Sequence, residues 1–89
     1  MPDKDETKEI IVKSFTDLVE RLNSDYTILK NINVYGMSVD STDLLSLGLF
    51  KKGTLKTYIC VKNDSIEILY QRISKLVLSV VQEVSHEVI

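Results

Sequence analysis

The chain holds one cysteine, Cys60, and one histidine, His86. A cysteine or serine nucleophile needs a base within hydrogen-bond reach, and His86 stands three residues from the end of the sequence, where a helix would fray. Cys60, between Ile59 and Val61, reads as a small packing residue within a strand. One Cys and one His do not build a zinc site, and no acidic loop has calcium-binding spacing. Asp40 and Asp43 have the chemistry for a hydrated magnesium ion or an acid pair, but Asp40-Ser41-Thr42-Asp43 is a run of turn residues first. Gly36, Gly48 and Gly53 are too scattered to cradle a phosphate. Asn63-Asp64-Ser65 fits the glycosylation pattern, yet the acidic Asp3-Lys4-Asp5-Glu6 start is not a secretory leader, so the triplet is expected to be a turn or helix cap. The expectation is a protein that is not an enzyme, with no catalytic, cofactor-binding or metal-binding residues and a cytoplasmic location.

Charge gives a further hint. Residues 1–25 carry a formal −3, residues 26–62 a formal +3 and residues 63–89 a formal −2. Lys51, Lys52, Lys56 and Lys62, with Tyr58 among them, form a candidate patch for phosphates or for an acidic partner. Lysines are also the ordinary dress of a solvated strand. The whole chain is only −2, which excludes a strongly basic nucleic-acid binder or a polyanionic mimic.

Positioning these residues falls to a single domain spanning 1–89, with residues 1–4 expected to be disordered. At 89 residues, 44% hydrophobic and 27% charged, the composition is globular, and two separate cores would each be too small to stand alone. No apolar run approaches the roughly 20 residues of a membrane span.

The spacing of Ile11, Phe15, Leu18, Val19 and Leu22 predicts a helix from about Asp5 to Leu22, with Asp3 and Glu6 as its capping box. Glu9 with Lys13 and Asp17 with Arg21 stand at the four-residue spacing of helical ion pairs. From Tyr26 to Val39 the residues favour a long strand, with Ile28, Ile32 and Val34 on one face and a break foreseen at Lys30-Asn31. Leu45, Leu47 and Leu49 alternate in a second strand. A short turn at Lys51-Lys52-Gly53-Thr54, with Gly53 left-handed, leads to a third in which Leu55, Thr57, Ile59 and Val61 alternate with Lys56, Tyr58, Cys60 and Lys62. Beyond Asn63, Ile66, Leu69, Tyr70, Ile73, Leu76, Val77, Val80 and Val84 form a helical stripe, with Asp64 and Glu67 at capping-box spacing. A fourth strand over Ile66–Tyr70 is the alternative.

The expected architecture is α+β: an N-terminal helix, a three-stranded (or four-stranded) antiparallel sheet and a long C-terminal helix, with both helices on one sheet face. The order of elements is shared, as layout alone, with double-stranded RNA-binding domains and the Alu-domain proteins of the signal recognition particle. The basic helix start and dense Lys/Arg clusters of such RNA binding are absent here, and no family is assigned.

One sheet face is then left open, with Phe50 and Tyr58 among polar residues. The last helix is rich in valine, which has modest helix propensity and relies on what packs against it. Leu78, Val80, Val81, Val84 and Val88 are the candidate protein interface, with a two-fold homodimer as the expected form. The functional expectation is a non-catalytic protein-protein interaction module, an adaptor, inhibitor or assembly subunit, self-associating through its Val-rich helix and presenting the open sheet face or an edge to a protein partner. A small RNA- or DNA-binding module using the lysine patch is the alternative.

Overall fold

The computed structural model describes residues 3–32, 44–63 and 65–87. Its elements are α1 (Lys4–Leu22), β1 (Tyr26–Lys30), β2 (Leu44–Lys51), β3 (Thr54–Lys62) and α2 (Ile66–Glu87). The strands form one antiparallel sheet in the order β1-β2-β3. Both helices cover the same face of it, so the fold is α+β. Ile66–Glu87 is helix, so the alternative of a fourth strand over Ile66–Tyr70 does not hold.

Helix α1 begins where Asp3 caps it: the Asp3 carboxylate accepts from the Glu6 backbone N–H at 2.8 Å, satisfying one donor the first turn cannot pair internally. Asp3 and Lys4, expected among disordered terminal residues, are thus the cap and first residue of a helix. The buried line of α1 runs Lys8, Val12, Val19, with Ile11, Phe15 and Leu22 packed partly against it. This stripe is rotated from the expected one: Val12 is inside and Leu18 is largely exposed. On the outer side Lys13 pairs with Asp17 at 3.2 Å.

Strand β1 is shorter than the Tyr26–Val39 strand its composition suggests. It stops at Lys30 because Asn31 adopts φ +58°, a left-handed conformation that Asn tolerates. Pairing persists for one more step, since Asn31 N–H donates to Ser46 O at 2.8 Å and the Ser46 hydroxyl donates to Ile32 O at 2.9 Å. The kink carries Ile32 to the opposite sheet face from Tyr26 and Ile28, correcting the expected shared face. Val34 and Val39 lie outside the described residues.

The β2–β3 hairpin closes through Lys52-Gly53, both at positive φ (51° and 82°), the backbone of a two-residue turn that matches strand twist. The tip is tied back to the α1–β1 turn: Lys52 N–H donates to Asp25 O at 2.8 Å, and Lys52 Nζ lies 3.8 Å from the Asp25 carboxylate. Next to the turn the register slips. Leu49 faces Thr57 but Phe50 faces Leu55, so Lys56 is the extra residue of a β-bulge. Leu55 therefore shares Phe50's face and is not a core residue as simple alternation implies.

Helix α2 starts with Ser65, whose hydroxyl accepts from Ile68 N–H at 3.2 Å. Asp64, the expected cap, lies outside the described residues. The core joins α1 and α2 to the inner sheet face: Val12 and Val19, Tyr26 and Ile28, Leu47 and Leu49, Ile59 and Val61, and Leu69, Ile73, Leu76, Val77 and Val80 from α2. Phe15 and Tyr70 meet edge to face, ring centres 5.5 Å apart, across the helix pair. Tyr26 is almost fully enclosed, and its hydroxyl donates to the Glu83 carboxylate, joining the first strand to the far end of α2.

Candidate functional site

Successive residues of a strand point to opposite faces, and here both faces are apolar. The register makes the outer face explicit. Thr27, Phe50 and Leu55 form one cross-strand row, Leu29, Gly48 and Tyr58 the next, Ser46 and Cys60 a third, and Leu44 and Lys62 the last. Leu29, Leu44, Leu55 and Tyr58 are 48%, 40%, 43% and 39% exposed, whereas Phe50 and Ile32 are half-buried.

Gly48 organises this surface. A Cβ there would stand 2.8 Å from Ile32 Cδ1, 2.9 Å from Phe50 Cε2 and 3.0 Å from Leu55 Cδ1, so the missing side chain is what lets three apolar groups close over the backbone. The result is a low apolar platform rimmed by Leu29, Leu44 and Tyr58. Contiguous exposed apolar surface of this kind marks interaction sites more often than isolated exposed residues do. The three strands contain four lysines and no acidic residue. Lys56 and Lys62 are exposed toward the two ends of β3, about 20 Å apart at the rise of an extended strand.

The expected lysine patch is therefore not one patch. Lys51 lies on the helix side, its ammonium 5.3 Å from the centre of the Tyr26 ring. Lys52 sits in the hairpin turn beside Asp25. Lys56, Tyr58 and Lys62 remain on β3, separated by apolar surface. Cys60 is exposed on the outer face, not packed in the interior.

The expected helix interface is also divided. Val80 is wholly enclosed in the protein's own core and Val84 packs partly against it. Leu78, at 57%, and Val81 are exposed, and Val88 lies outside the described residues. The open strand face was expected with Phe50 and Tyr58 among polar residues; what sequence reasoning missed is how apolar it is, through Leu29, Ile32, Leu44 and Leu55. Its signal was apolar residues at both parities, as in Ile28-Leu29, Leu44-Leu45 and Leu49-Phe50.

His86 is exposed near the end of α2, and Asp40 and Asp43 lie outside the described residues. Among the described residues no three His, Cys, Asp or Glu side chains cluster as metal ligands, and no helix is long and apolar enough to cross a membrane. No protein-family model, curated protein or solved structure matches the chain.

Proposed function

We propose that this chain is a non-catalytic protein-interaction module, an adaptor, inhibitor or assembly subunit, that binds through the outer face of its sheet. The supporting observation is the apolar platform of Leu29, Ile32, Phe50 and Leu55 around Gly48, on the side the helices do not cover. Charge complementarity selects the occupant. With lysines at both ends of β3 and no acid on any strand, the fitting partner is a segment with an apolar strip flanked by Asp or Glu. A second copy docking through the same face would bring Lys56 and Lys62 toward like charge. A homodimer through α2 would rest on Leu78 and Val81, since Val80 is occupied internally.

Fluorescence anisotropy tests this with labelled amphipathic peptides carrying leucine on one face and glutamate at its flanks, a lysine-flanked set and a structured RNA. The glutamate peptides are expected to bind, and Leu29→Ser with Leu55→Ser to weaken them at least about tenfold, or 1.4 kcal/mol. Equal binding of both peptide sets, no peptide binding, or RNA binding with steep salt dependence that ignores the leucine substitutions would each overturn the reading. Sedimentation of the wild-type chain reports any dimer, and a dimer lost in Leu78→Asp but kept in the leucine double variant would return the interface to α2.

A further inference from the structure

A cleft of about 310 Å³ opens at the end of the molecule where both helices begin, on the opposite side of the sheet from the platform. Its apolar floor is Val12 and Leu45, and its polar lining includes Lys8, Lys30, Asn31 and Asn63. That volume is at the small end of ligand sites.

Lys8 makes the cleft unusual. It is only 7% exposed and stands on the buried line of α1 with Val12 and Val19. Its ammonium donates to Asn63 Oδ1 at 3.2 Å, a neutral acceptor. Asp5 and Glu9 line the same cleft from the same helix, yet among the described residues neither forms an ion pair with it. Lys8 is buried while its ammonium reaches the cleft, where its hydrogen-bond partner is a neutral amide and not a carboxylate. Ammonium carries three donors, so two remain for a ligand. Lys30 adds a second positive charge to the lining.

We infer that this cleft binds a small oxyanion-bearing ligand, a carboxylate or a phosphate, with Lys8 as its counter-charge and Asn63 holding the ammonium in place. The site is independent of the platform and would stand if the protein-binding reading fell.

The test is NMR titration of the full chain with sodium phosphate and, separately, sodium acetate, each against sodium chloride at matched ionic strength. Saturable shifts confined to Lys8, Asn31, Leu45 and Asn63 are expected with one of the two, and which one responds tells phosphate from carboxylate. The same anion should raise the melting temperature by mass action. Lys8→Met keeps the buried stem and removes the charge, so it should fold, lose the saturable shifts, and melt at a temperature that the anion leaves unchanged. If neither salt exceeds chloride on the wild-type protein, the inference fails whatever the variant does. It fails equally if Lys8→Met binds within about twofold of wild type.

Discussion

The two faces of the sheet are built from the same three strands and are nearly equally apolar, yet they have opposite fates. The inner face, from Tyr26, Ile28, Leu47, Leu49, Ile59 and Val61, is closed by two helices and is at most 9% exposed at any of these residues. The outer face, from Leu29, Leu44, Leu55 and Tyr58, is closed by nothing among the described residues. Strands apolar at both parities ordinarily sit between two layers, and the described residues supply one. The contrast separates burial that folds the chain from apolar surface that folding leaves over.

Substitutions at matched positions can break that contrast. The largest effect is expected for Leu47→Ala, a fully enclosed inner-face residue, at about 2–5 kcal/mol lost in denaturant unfolding. Gly48→Val comes next, since its added atoms enter space already held by Ile32, Phe50 and Leu55; about 1–3 kcal/mol of overpacking cost is expected, together with loss of the platform's shape in peptide binding. Gly53→Ala is the control for that change. Nothing lies within 4 Å of its added methyl, so the cost, about 1–2 kcal/mol, is purely the left-handed φ and should leave peptide binding intact. The smallest is Leu29→Ser, within about 0.5 kcal/mol in stability while affinity falls. A Leu29→Ser variant as unstable as Leu47→Ala would mean the outer face is a second core.

The sequence was readable where one local interaction decides the outcome. Asp3 with Glu6 located the start of α1, Gly53 located the hairpin, and the Leu69–Ile73–Val80 spacing pointed to α2 while leaving a strand over Ile66–Tyr70 open. Longer-range choices were less readable. Lys8 is inside and Leu18 outside because a lysine stem covers apolar surface as well as an aliphatic residue does, and a hydrophobicity count misses it. Asn31 was foreseen as a break, but its left-handed turn, which moves Ile32 across the sheet, depends on the Ser46 contacts that hold it. The bulge at Lys56 likewise moved Leu55 to the outer face. The valines of α2 look excessive for one helix until Val77 and Val80 are seen enclosed in a core shared with α1 and the sheet. No spacing rule could announce the cleft, because Lys8, Lys30 and Asn63 are far apart in the sequence and meet only through the fold.

The bulge on β3 bears on more than side-chain placement. An outermost strand is a template onto which further chains can polymerise, and a kinked backbone beside charged ammonium groups is a poor template. With Lys56 protruding at the irregular step and Lys62 at the other extremity, this border of the sheet discourages fibril growth. An exposed apolar face thereby need not invite strand-by-strand aggregation.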